Sequence, residues 1–117
     1  MRTLGPQRVL LTLGARGALW GDGQGLWLAE PPPIRELSNI GAGDAALAGA
    51  LYAWRQGMSG GEIARWAVAA GAAKAMGDGT QTPPRGRVED VFARVRVRNL
   101  TSQEIDGADI PSPRKSI

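Results

Sequence analysis

The stretch Asn39-Ile40-Gly41-Ala42-Gly43-Asp44-Ala45-Ala46-Leu47-Ala48-Gly49 decides the reading of this chain. Two glycines flank an alanine, an aspartate follows at once, and an apolar, helix-like run begins there. Small residues let backbone N–H groups come close to an anion, and a helix N-terminus adds the positive end of its dipole. A carboxylate at that place is set to accept a proton from an attacking hydroxyl. Together these parts point to phosphoryl transfer to an alcohol. Taken alone, the same residues also fit a plain glycine turn with Asp44 as an ordinary helix N-cap.

Downstream, the pattern predicts a helix from Asp44 to about Gln56. Leu47, Leu51 and Trp54 fall on one face, and Gly57 ends it. Ser59-Gly60-Gly61-Glu62 spells a capping box, with Ser59 as N-cap. The helix it opens runs to about Met76, stops at Gly77 and is rich in alanine, which suits close packing against another helix. Residues 78–86 read as a loop. A short helix is expected from Val88 to about Arg94, with Val88, Val91 and Phe92 facing inward, and Arg96-Val97 as a last strand. From Thr101 onward the residues are polar with two prolines, the composition of a disordered tail. Residues 1–100 are thus expected to hold the folded part and 101–117 the tail.

Upstream, Arg8-Val9-Leu10-Leu11-Thr12-Leu13 is a continuous apolar run. It predicts a strand buried on both faces, as in parallel sheets. Ala18-Leu19-Trp20 and Leu26-Trp27-Leu28 flank a glycine-rich turn, Gly21 to Gly25, and read as a hairpin. Pro31-Pro32-Pro33 marks an extended connection. Directly after the first strand comes Thr12-Leu13-Gly14-Ala15-Arg16-Gly17-Ala18. In open α/β sheets ligands sit beyond the carboxyl ends of strands. There Gly14 and Gly17 would let backbone approach a nucleotide, while Thr12 offers a hydroxyl and Arg16 a cation for phosphates. Taken alone, a Gly-x-x-Gly step between a strand and a hairpin is more often just a turn.

Composition narrows the chemistry. The chain has 117 residues, 43% hydrophobic and 21% charged, enough for one small globular domain. With no cysteine there is no disulfide, thiolate nucleophile or Cys-based zinc site. With no histidine, acid–base work falls to Asp, Glu, Lys or Tyr. The net charge of +3 comes from scattered residues, the pattern of a solvated surface and not of a nucleic-acid-binding stripe. No signal-peptide core and no apolar run of membrane-spanning length occurs, so a cytoplasmic location and no membrane partner are expected. A Gly-Lys-Ser/Thr step and G-x-G-x-x-G are both absent, which removes Walker-type NTPases and Rossmann oxidoreductases.

The order of these parts carries more than any one of them. Strand, Thr-x-Gly-x-x-Gly, hairpin, Pro-rich link, Gly-Ala-Gly-Asp, helix and Ala-rich helix resemble the C-terminal part of a PfkB (ribokinase-type) carbohydrate kinase, over about residues 8 to 100. Asn39-Ile40, where ribokinases often carry Asp-Thr, together with Ala48-Gly49 and Val95-Arg96-Val97, looks closer to the 1-phosphofructokinase and tagatose-6-phosphate kinase subgroup. The resemblance implies an α/β fold, the C-terminal portion of a ribokinase-like three-layer α/β/α sandwich in truncated form. It implies ATP with Mg²⁺ and a sugar or sugar phosphate as acceptor. By the same resemblance Asp44 is the catalytic base, and the N–H groups of Gly41, Ala42 and Gly43 form the anion hole. Thr12, Gly14, Arg16 and Gly17 line the ATP phosphates and ribose, and the segment Ala70 to Gly77, with Gly71, flanks adenine. Some relatives carry Asn where this chain has Gly77. The family's sugar-binding residues, lid and Asn-x-x-Glu motif have no counterpart here, so a homo-oligomer or a complementary N-terminal part is expected. The alternatives are a non-catalytic nucleotide-binding or interaction module and, last, a basic nucleic-acid binder.

Overall fold

The computed structural model describes residues 2–3, 7–77 and 83–100. Strands β1 (Arg2–Thr3) and β2 (Val9–Thr12) lead through a short 3₁₀ turn at Gly14–Arg16 into β3 (Ala18–Asp22) and β4 (Gly25–Glu30). Three helices follow, α1 (Ala42–Arg55), α2 (Gly60–Ala75) and α3 (Arg85–Arg94), and β5 (Arg96–Asn99) closes the series. The strands form one five-stranded sheet in the order β1-β2-β3-β4-β5, each pair antiparallel.

The antiparallel pairing corrects the parallel setting expected for the run at Arg8–Leu13. β2 pairs antiparallel with β1 and with β3, because a connection as short as Leu13–Gly17 can only return the chain alongside itself. The apolar run signals two covered faces and is silent on direction. Leu10, Ala18, Trp20 and Ala29 belong to a core shared with the helices. Their neighbours on the opposite pleat, Leu19 and Leu28, form a second cluster with Leu100, packed by Leu11, Leu13 and Leu26. The sheet is therefore apolar on both faces, as the middle layer of a three-layer α/β/α sandwich must be. Among the described residues the helices lie on one face.

The hairpin is longer and its turn tighter than the sequence suggests. Pairing continues to Asp22↔Gly25, leaving Gly23-Gln24 as the turn. Asp22 holds it, with Oδ1 accepting from the Gln24 N–H at 2.8 Å and Oδ2 from the Trp20 indole N–H at 3.0 Å. Trp20 is fully buried, and this contact satisfies its one polar atom. Burial of a side chain that size stabilises by about 3 kcal/mol relative to exposure.

Glycine and alanine set the helix packing. The face of α1 that is buried carries Ala46, Gly49, Ala50 and Ala53. Leu47, Leu51 and Trp54, the apolar residues that share a face, are half-buried, with Leu47 and Trp54 packed against the same core from its edge. The reason is the close approach of α2: a Cβ on Gly49 would sit 2.5 Å from the Trp66 carbonyl oxygen and 2.9 Å from the Ala70 Cβ. Larger residues flank that contact and cannot enter it. α2 starts as the capping box predicts, with the Ser59 Oγ accepting from the Glu62 N–H at 3.3 Å. It meets the sheet at Gly60, where a Cβ would lie 2.2 Å from the Trp27 ring. Helix α3 begins at Arg85, inside the expected loop; residues 78–82 of that loop and the expected tail lie outside the described residues. Val91 is buried, with Val88 and Phe92 packed beside it. The Arg65 guanidinium ties α3 down, donating from Nε to the Phe92 carbonyl at 2.9 Å and lying 4.4 Å from the Phe92 ring centroid.

Candidate nucleotide site

The N-terminus of α1 is built by a glycine. Gly41 is the N-cap, in the left-handed region at φ +75°, and no side chain caps the helix. Asp44 is therefore not the N-cap of the simple-turn reading; it stands in the first helical turn and is exposed. The Ala42 N–H donates to the Asn39 carbonyl at 3.2 Å, and the first helical bond runs from the Ala45 N–H to the Gly41 carbonyl at 2.9 Å. The N–H groups of Gly43 and Asp44 fall in the first turn, where no intrahelical acceptor exists. Behind them the loop is fastened to the end of α2. The N–H groups of Leu37 and Ser38 both donate to the Ala75 carbonyl, at 2.8 and 3.1 Å, and the Ile40 N–H donates to the Ser38 Oγ at 3.1 Å.

The turn after β2 is closed by its own backbone. The Leu13 N–H donates to the Gly17 carbonyl at 2.8 Å and the Gly17 N–H to the Gly14 carbonyl at 3.1 Å. Its two glycines have different causes. Gly17, at φ +107°, has the Ala29 carbonyl oxygen 1.9 Å from where a Cβ would be, so the sheet itself demands glycine. Gly14, at φ +61°, has nothing within 4 Å.

A cavity of about 740 Å³ separates these two turns, within the ~300–1,000 Å³ typical of small-molecule sites. Thr12, Gly14, Gly17, Ala42, Gly43 and Gly71 line it, from the residues singled out by sequence. Arg16, Gly41 and Asp44 do not line it; all three are exposed and adjoin lining residues in sequence. Pro31, Pro32, Pro33 and Ile34 form one wall, and Ala67, Val68, Ala72 and Ala75 of α2 another. Gly71 is small because α1 comes close, its Cβ position being 3.2 Å from the Ala42 carbonyl oxygen. Glu36, Asn39 and Arg96 also border the space, and sequence reading does not assign them to it. Arg96 opens a strand far along the chain, and nothing local to it signals a site. Among the described residues no group of three or more carboxylates, histidines or cysteines is placed to hold a metal ion, and no helix is long and apolar enough to cross a membrane.

Comparison with known proteins bears on the family and the fold. The family model described as pfkB family carbohydrate kinase matches residues 1–85. The 1-phosphofructokinase of Escherichia coli K12 is 42% identical over 52 residues, 44% of this chain and 17% of that protein. The ATP-dependent 6-phosphofructokinase isozyme 2 of the same strain is 31% identical over 87 residues, 74% of this chain and 28% of its own length. The crystal structure of Escherichia coli phosphofructokinase-2 in complex with potassium superposes with a TM-score of 0.72 at 31% identity, covering 75% of this chain and 28% of that one. The chain thus spans less than a third of the length of these relatives, and over that span its fold is that of the ribokinase-like phosphofructokinases. The chain belongs to the pfkB family of carbohydrate kinases.

Proposed function

We propose that this chain contributes the ATP-binding and catalytic part of a kinase that transfers the γ-phosphoryl of ATP to a hydroxyl of a sugar or sugar phosphate, in the manner of a 1-phosphofructokinase. The observation that carries the reading is the cavity shared by the Thr12–Gly17 turn and the N-terminus of α1. Its small-residue walls suit a flat base and ribose. Its α1 end offers first-turn N–H groups to a phosphate. Mg²⁺ would be held mainly by the nucleotide phosphates and water.

In the proposed reaction the acceptor hydroxyl oxygen attacks the γ-phosphorus, the bond to the β-bridging oxygen breaks, and ADP leaves. The Asp44 carboxylate takes the hydroxyl proton. Charge on the transferring phosphoryl group is met by the N–H groups of Gly41 and Gly43 and by the α1 dipole. The Ala42 N–H, engaged by the Asn39 carbonyl, serves the hole only by sharing that bond. Thr12 and Gly14 flank the remaining phosphates and ribose, Arg16 adds a cation from the turn, and Gly71 lies beside adenine. Asp44→Asn should lower kcat about a hundredfold or more while leaving ATP affinity and fold unchanged. ADP release with fructose 1-phosphate as acceptor measures it; near-normal turnover in the variant removes Asp44 from the role. Saturable ATP binding with no phosphorylation of any sugar by the unaltered chain favours the second reading, a nucleotide-binding module without turnover.

A further inference from the structure

Lys74 is the one charged residue of α2 on the C-terminal side of Arg65. It lies three residues after Gly71, on the row of the helix that runs along the start of α1. Gly71 faces Ala42 on that row, and Lys74 reaches the residue before it: its Cε is 3.2 Å from the position a Cβ on Gly41 would occupy. The half-buried stem therefore passes beside the N-cap of α1, with the ammonium one bond from that carbon. The absence of a side chain at Gly41 leaves the room that this path needs.

We propose that Lys74 is a phosphate-contacting residue of this site, placing a positive charge beside the anion hole at the γ-phosphoryl end of the nucleotide. The inference rests on the reading of the cavity as an ATP site and adds to it a residue from α2. A lysine contacts phosphate as a point charge and needs only proximity. At the end of α2 the same cation also complements the helix dipole, so the test separates the two roles. Lys74→Met keeps the stem over Gly41 and removes the charge; Lys74→Arg keeps both. Each is titrated calorimetrically with Mg-ATP and with Mg-ADP alongside the unaltered chain, and its fold is checked by circular dichroism. A charge at the γ end predicts that Lys74→Met weakens Mg-ATP by about tenfold and Mg-ADP by much less, with Lys74→Arg near the unaltered value. Equal weakening of both nucleotides, or no weakening, overturns the inference and leaves Lys74 as a structural residue. A folded, unaltered chain that binds neither nucleotide overturns the reading of the cavity itself, a distinct failure.

Discussion

Two sets of glycines divide this molecule. At the α1–α2 crossing and where α2 meets the sheet, Gly49 and Gly60 are small because something occupies the space: backbone and an alanine at one, the Trp27 ring at the other. At the cavity, Gly14 and Gly43 have nothing within 4 Å. Packing explains the first pair; at the cavity the left-handed backbone of Gly14 (φ +61°) already favours glycine, whereas neither packing nor backbone accounts for Gly43. Gly14 and Gly43 also line the cavity, where a bare backbone lets a ligand come close, and that combination is the structural case for a nucleotide site here.

Substitution by alanine sharpens the division. Gly60→Ala should have the largest effect on stability, about 3 kcal/mol, because a Cβ there would overlap three ring carbons of Trp27, a half-buried side chain packed against the core, and ring and helix must move apart. Gly49→Ala should follow at about 2–3 kcal/mol, since the overlaps there, with the Trp66 carbonyl oxygen at 2.5 Å and the Ala70 Cβ at 2.9 Å, are fewer and less deep. Denaturant melts of the two variants measure both costs, and stability equal to the unaltered chain in either contradicts the packing described. Gly71→Ala should cost about 1 kcal/mol, its contacts at 3.2 and 3.4 Å being tight without overlap. Ser59→Ala should also cost about 1 kcal/mol through loss of the α2 cap. Smallest of all is Gly43→Ala, for which the melt should be unchanged or slightly stabilised by helix propensity. That variant should nonetheless lose nucleotide affinity. A loss of stability there of the size expected at Gly60 would place Gly43 with the structural set.

Much of this was legible in the sequence. The Ser59–Glu62 signature located the start of α2, and Gly57 the end of α1, because capping and left-handed turns are local chemistry. The elements around Thr12–Gly17 and Gly41–Asp44 were also legible, and the cavity brings most of their residues together. Strand direction was not, since the Leu-rich run at β2 reports burial on two faces and says nothing of its neighbours' sense. The fully buried face of α1 was not legible either: the close approach of α2 selects Ala46, Gly49, Ala50 and Ala53, while Leu47 and Trp54 pack at the edge of the core. The cause of each glycine was equally hidden. Gly17 and Gly71 read as ligand contacts in sequence, yet the Ala29 and Ala42 carbonyls account for their size. Arg96 borders the cavity from a remote element, which only tertiary packing reveals.

The central claim is that the two turns and the space between them form a nucleotide site in which Gly43 is open for the ligand. Calorimetric titration with Mg-ATP of the unaltered chain and of Gly43→Ala tests it most directly. The account predicts saturable binding by the folded, unaltered chain and at least about tenfold weaker binding by the variant, with equal thermal stability. No binding by the folded chain, or identical binding by the two, would contradict it.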